Sequence, residues 1–200
     1  TGSSTPTLAI VIPIYNESAG LEQLFTRLRP VLDGLRDIDT QVVYVNDGST
    51  DGSLEMMLDH HARDRRFGVI DLSRNFGQQA GIAAGLSASA GDGTLVMDGV
   101  LQDPPELIPE MVASWRAGAE VVQAQRRSRQ ERGLRRWWLL LFHKLFGWLA
   151  DFPIPADVGV FGLVDRKALD ELNRLREKNR FLPGLRSWVG FEQRVVYYDR

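Results

Sequence analysis

The 200-residue chain contains no cysteine, which excludes disulfides and thiol chemistry and fits a reducing compartment. Its three histidines, His60, His61 and His143, show no metal-ligand spacing and read as surface or packing residues. No apolar run approaches the roughly 20 residues of a membrane span, and no cleavable leader pattern opens the chain. The common phosphate-binding motifs are missing too. There is no Walker sequence and no Gly-x-Gly-x-x-Gly after a strand, which sets aside P-loop enzymes and dinucleotide oxidoreductases. A formal net charge of -2 argues against general nucleic-acid binding.

What is present is enough apolar content, 44%, to bury one sizeable core. Residues 1–6 read as a disordered lead or a cloning remnant. Beyond them, short apolar runs alternate with amphipathic segments. Leu8–Pro13, Gln41–Val45, Phe67–Asp71, Gly93–Met97 and Glu120–Ala124 read as strands. Helices are expected over Asn16 to Gly34 with Leu21, Leu24, Phe25, Leu28 and Leu32 inward, and over Asp51 to Arg63 with Leu54, Met57 and Leu58 inward. Two more are expected over Ala80 to Ala90 and Pro105 to Ala117. Gly77, Gly81 and Gly85 stand four apart, letting the third helix pack close to a sheet. The alternation implies an α/β fold with a mostly parallel sheet and helices on both faces. Later in the chain, Val158–Val164 and Gly190–Asp199 read as extended and Arg166–Arg176 as a helix.

In such a sheet, ligands bind at the carboxyl ends of the strands. The polar turns fall at those ends: Tyr15-Asn16-Glu17, Asn46-Asp47-Gly48, Ser73-Arg74-Asn75, and Asp98 to Asp103. Carboxylate turns hold nucleotides through a divalent ion that bridges acid and diphosphate, and magnesium and manganese favour such oxygen ligands. Asp98 is the natural first ligand and Gln102 can add a carbonyl oxygen. Asp103, ahead of Pro104 and Pro105, reads as a helix cap.

Four ordered motifs carry a resemblance. They are Ile12-Pro-Ile-Tyr15-Asn16-Glu17, Val45-Asn46-Asp47-Gly-Ser-Thr-Asp51-Gly-Ser, Leu72-Ser-Arg74-Asn75-Phe76-Gly77-Gln-Gln79-Ala-Gly, and Met97-Asp98-Gly-Val100-Leu-Gln102-Asp103-Pro-Pro-Glu106. From about residue 7 to 200 the chain resembles family 2 glycosyltransferases, and within them the polyprenyl-phosphate (dolichyl-phosphate-type) branch. The resemblance implies a GT-A catalytic domain over 7–200 and a UDP- or GDP-linked sugar donor. It implies nucleotide-sugar binding by Pro13, Tyr15, Asn16, Glu17, Asp47, Arg74 and Asp98, and a Mg2+ or Mn2+ ion on Asp98 and Gln102. Arg126, Arg135 and Arg136 match residues that hold the acceptor phosphate. Asp98 and Asp157 are the catalytic candidates, with Asp157 either base-like or a loop cap.

One departure stands out. The family pattern at Asp98 is Asp-x-Asp, and Val100 takes the place of the second acid, removing a charge and an oxygen ligand. Val160 and Gly162 also differ from the branch pattern Asp-x-Gly-Asp-Phe-Arg, of which Asp157 retains the first acid.

The segment from Arg126 to Lys144 is net +6, which leaves the remainder at -8. Residues 126–157 form a basic aromatic stretch in which Arg135 and Arg136 adjoin Trp137 and Trp138 and a leucine-rich run. Such a segment can lie in the membrane interface beside anionic lipid, or form a core helix with a solvated arginine end. The expectation is an inverting transfer of sugar to a polyprenyl phosphate at the cytoplasmic face of a membrane, the inner or plasma membrane in a bacterium. Membrane helices beyond residue 200 and homo-oligomerisation are left open. The rival readings are an impaired nucleotide-sugar-binding module, on account of Val100, and a transferase with a soluble saccharide acceptor.

Overall fold

The computed structural model describes residues 5–100, 102–126, 158–174 and 191–198. Seven strands form one sheet: β1 (Thr7–Ile14), β2 (Asp39–Asn46), β3 (Phe67–Asp71), β4 (Gly93–Val96), β5 (Val121–Arg126), β6 (Val158–Asp165) and β7 (Gln193–Tyr198). Their order is β3-β2-β1-β4-β6-β5-β7. Every pairing is parallel except those of β6, which runs antiparallel to both β4 and β5. The helices are α1 (Ser18–Gly34), α2 (Ser53–Arg63), α3 (Gln78–Ala88), α4 (Ile108–Arg116) and α5 (Arg166–Arg174). The expected helix from Pro105 opens instead as a short 3-10 turn, Pro105–Leu107, before α4 begins.

The central strand β1 is buried on both faces, as its unbroken apolar run requires. Leu8, Ile10, Ile12 and Ile14 face the core built with α1, α2 and α4, whereas Val11 faces the core that α3 and α5 close. The inward residues of α1 are the five read from its spacing. Gly81 and Gly85 explain the close approach of α3. A Cβ on Gly81 would lie 3.5 Å from Pro13 Cβ, and one on Gly85 would collide with Val11 Cγ1. Gly77 serves the backbone instead. It precedes α3 with φ 94, a conformation that glycine adopts without strain.

Proline in a central strand normally forfeits a ladder bond. Pro13 escapes that cost because it lies past the last β1–β4 pair, Val11 with Val96.

The inward face of α2 differs from the sequence expectation. Leu58 is exposed, and the buried residues are Ser53, Met57 and His60. His60 is accommodated because its polar edges are met. Its ring stacks on Phe25 with centroids 4.1 Å apart, Nε2 lies 3.0 Å from Glu22 Oε2, and Nδ1 lies 3.4 Å from the Tyr44 hydroxyl. Burial pushes the imidazole pKa down, opposed in part by Glu22. The folded chain therefore resists a proton that the unfolded chain accepts below about 6.5. This contribution to stability is whole above that pH and is lost as the pH falls through it. The melting temperature is expected to drop between pH 7 and pH 5, and His60→Phe to flatten that part of the drop in thermal melts. An equally steep drop in the variant would assign the loss to other groups.

Candidate functional site

The chain runs from β1 to β2 and β3 on one side and places β4 on the other, so the sheet order reverses beside β1. A crevice opens at such a switch point, beyond the carboxyl ends of the strands. Four polar turns meet there, and hydrogen bonds fasten them to one another.

The turns after β1 and β2 form a clasp. Asn16 adopts φ 54, a left-handed conformation that asparagine tolerates better than most residues. Its N–H donates to Ser49 Oγ at 3.0 Å and its Oδ1 accepts the Thr50 N–H at 2.8 Å. Glu17 N–H donates to Ser53 Oγ, and Ser18 N–H to Asp51 Oδ2, both at 3.0 Å. The opening amides of α1 are thus capped from the other turn. Asp51 is held well below the usual carboxylate range, chiefly by the Ser53 hydroxyl and also by Ser18. Asp51 stands within one of the four motifs, yet its part in the clasp does not follow from them. The Asp-x-Ser spacing after a strand is the local signal for it.

The second fastening crosses from β2 to α3. Asp47 is buried, and both its oxygens are taken: Oδ1 accepts the Phe76 N–H at 2.7 Å and Oδ2 the Gly77 N–H at 2.8 Å. The next residue, Gln78, donates from Nε2 to Asp98 Oδ1 at 2.6 Å. Asp47 and Asp98 therefore stand on the same side of the sheet, joined through three consecutive residues. Gln78 is a member of the site that sequence reasoning misses.

The turn after β4 crosses the end of β1. A Cβ on Gly99 would collide with Ile14 Cδ1 and lie 3.3 Å from the Pro13 carbonyl oxygen. Asp98 is half-buried and its pKa is raised by that burial, with Gln78 pulling the other way. Glu17 is raised as well, by desolvation first and then by the charges of Asp51 and Asp98. Glu17 and Asp98 thus both carry carboxyls that burial makes harder to ionise, the kind of perturbation found at functional sites.

The other expected residues fall as follows. Tyr15 is exposed just past the end of β1, whereas Pro13 is buried beneath α3. Arg74 lies 4.2 Å over the Phe76 ring, and both side chains are exposed. Gln102 and Val100 are exposed. Arg126 ends β5, 5.9 Å from the ring of Tyr198, with its Nε buried and without a hydrogen-bond partner among the described residues. β6 enters the sheet opposite this end, its Val158 paired with Gln125. Asp157, Arg135 and Arg136 lie outside the described residues, as does nearly all of the 126–157 segment.

The cap assigned to Asp103 is not what forms. Neither the 3-10 turn nor α4 has a side-chain cap, and the Asp103 oxygens turn instead to Asp98 N–H and the Tyr198 hydroxyl. Pro104, whose side chain offers no acceptor, occupies the cap position itself.

Among the described residues, no three acidic or histidine side chains gather closely enough to hold a metal by themselves. The Asp98 carboxylate, with Gln78 on one oxygen, and the exposed side-chain carbonyl of Gln102 are oxygen donors of the kind taken by a magnesium-type ion, which commonly uses one or two carboxylates and completes its shell with substrate phosphate.

Solved structures share this architecture. The mannosyltransferase PcManGT from Pyrobaculum calidifontis, solved with GDP-Man and Mn2+, superposes with a TM-score of 0.67 at 16% identity, over 98% of this chain and 56% of that one. S. aureus TarS in complex with UDP gives 0.62 at 14% identity, over 97% and 60%. The sheet is thus of the GT-A type. Among curated relatives, the uncharacterized glycosyltransferase YkcC of Bacillus subtilis is 44% identical over 193 residues, 96% of this chain and 59% of that protein. The bactoprenol glucosyl transferase of Shigella phage SfV is 32% identical over 194 residues, 96% of this chain and 63% of that protein. The chain thus spans about three-fifths of the length of these relatives. The family model for glycosyl transferase family 2 matches residues 9–172, and the chain belongs to that family.

Proposed function

We propose that the chain is the catalytic domain of a glycosyltransferase that moves a sugar from a UDP- or GDP-linked donor to a polyprenyl phosphate, with inversion at the sugar carbon. The observation that carries this reading is the tethering of Asp47 and Asp98, through Phe76, Gly77 and Gln78, at the switch point of the sheet. The likeness to a bactoprenol glucosyl transferase supports the lipid acceptor.

The chemistry follows from charge. An acceptor phosphate is already anionic near neutral pH, so its oxygen can attack the anomeric carbon without a strong base. Direct displacement inverts that carbon. The protein has to position both substrates and stabilise the departing nucleoside diphosphate. Tyr15, Asn16, Glu17, Asp47 and Arg74 frame the nucleoside side of the crevice, Asn16 and Asp47 by holding its loops in place. Arg126, with Arg135 and Arg136, would face the acceptor phosphate, and Asp157 precedes the strand that enters at this end. A magnesium or manganese ion held by Asp98, Gln102 and the diphosphate would neutralise charge on the leaving group. Among the described residues no helix is long and apolar enough to cross a membrane. The contact with lipid is assigned to the basic aromatic segment over 126–157, at the cytoplasmic face.

Val100 supports a second reading, that of a nucleotide-sugar-binding module with little turnover. It is 37% exposed where the family pattern has an acid. A panel of UDP- and GDP-sugars offered with one short polyprenyl phosphate, with product detected by mass, separates the two. The enzyme reading expects product from the native chain. Val100→Asp is then expected to raise the rate at limiting Mn2+ by about tenfold, the effect of one added charged ligand. Donor binding without product from either form would favour the module.

A further inference from the structure

Asp103 is only 6% exposed, although it is charged and caps no helix. Buried carboxylates persist where both oxygens are engaged. Here Oδ2 accepts the backbone N–H of Asp98 at 3.0 Å, and Oδ1 accepts the Tyr198 hydroxyl over a longer 3.4 Å. Tyr198 closes β7 and pairs in register with Arg126 at the end of β5. One carboxylate thus touches the backbone of Asp98 on one side and the neighbour of Arg126 on the other.

We propose that Asp103 is a positioning residue that keeps Asp98 in register with the Arg126–Tyr198 end of the crevice, coupling the donor side of the site to the acceptor side. The proposal rests on the reading of Asp98 as the contact to the donor diphosphate. Removing the carboxylate leaves the Asp98 N–H without its partner and frees the turn to shift. Asp98 is already tethered through its side chain by Gln78, so the fold of the turn survives while its aim is relaxed. Positioning errors of this kind act on turnover more than on ground-state binding.

The test uses the full-length protein with Asp103→Ala, Asp103→Asn, Tyr198→Phe, and the Ala and Phe changes combined. Turnover, donor KM, melting temperature, amide exchange at Asp98, and calorimetric binding of UDP and GDP with and without Mn2+ are read for each. Asp103→Ala is expected to lower kcat about tenfold with donor KM within about twofold, and to speed Asp98 amide exchange about tenfold, as the loss of one buried hydrogen bond implies. Asp103→Asn should retain at least half the activity, because its carbonyl can accept the Asp98 N–H while its amide meets the tyrosine oxygen. Tyr198→Phe should cost about two- to threefold, and the combined variant no more than Asp103→Ala alone, since both changes cut one chain of contacts. A lowered melting temperature with kcat and amide exchange unchanged would make Asp103 merely structural and overturn the proposal. So would additive losses, or a Tyr198→Phe enzyme indistinguishable from the native one; that last arm remains decisive even where Asp103→Ala fails to fold. If the native chain binds neither nucleoside diphosphate, the underlying site reading falls instead.

Discussion

Asp98→Ala is expected to reduce sugar transfer about 10³-fold, the scale seen when a group that stabilises developing charge is removed. The fold should survive the change. Asp98 is half-buried, and its raised pKa shows that burial disfavours its charge. Deleting it removes a desolvation cost along with the Gln78 contact, so the melting temperature should hold or rise. Asp98→Asn separates the two functions of the side chain. Its carbonyl can still accept from Gln78 Nε2, but the charge is gone, so transfer should fall nearly as far while the turn keeps its place. Burial delays ionisation of this carboxyl in the metal-free protein, and a bound divalent ion would pull its pKa back down, so added Mn2+ should move the acid limb of the transfer rate to lower pH. Mass-detected product, thermal melts and a Mn2+ titration check these points together. Activity within threefold of native in either variant would remove Asp98 from the chemistry.

That Asp98 could be singled out from sequence has a topological cause. Apolar runs and 3.6-residue spacing reveal alternating strands and helices, and alternation puts every strand-ending turn at one edge. The turns after β1, β2, β3 and β4 therefore converge whatever the register. The bonds that organise them were not legible, because their partners are distant in sequence. Asp103 followed by two prolines has the look of a cap, and nothing local announces Tyr198, 95 residues away. Gln78 reaches Asp98 across 20 residues. The inward placing of Leu58 in α2 fails for a related reason. Leu58 carries more apolar surface than His60, and only Phe25, Tyr44 and Glu22 make the histidine the better inward residue. The extended character of Val158–Val164 was visible, but its insertion between β4 and β5, antiparallel to both, was not.

The clasp between loops makes a glycine outside the catalytic set a further point of failure. Gly48→Ala is expected to destabilise the protein by about 3 kcal/mol or more and to lower donor affinity in the fraction that remains folded. Gly48 sits at φ 69, where any Cβ is strained. The space is closed as well. A Cβ there would lie 2.5 Å from the Arg74 carbonyl carbon and 2.6 Å from the Asn75 nitrogen. These are backbone atoms, so no side chain can rotate to give way. The loop from Arg74 to Gly77 must retreat, and it carries the two N–H groups that Asp47 holds. Displacing it leaves a buried carboxylate short of donors and draws Gln78 away from Asp98. Gly52→Ala is the control. Its φ of 87 imposes a similar backbone strain, but its nearest contact is the Glu55 side chain at 4.0 Å. Urea unfolding of the two variants should therefore differ by the clash alone, and calorimetry with UDP and GDP should find weaker binding only for Gly48→Ala. Equal destabilisation, or native donor affinity in folded Gly48→Ala, would mean that the Arg74–Gly77 loop does not support the site.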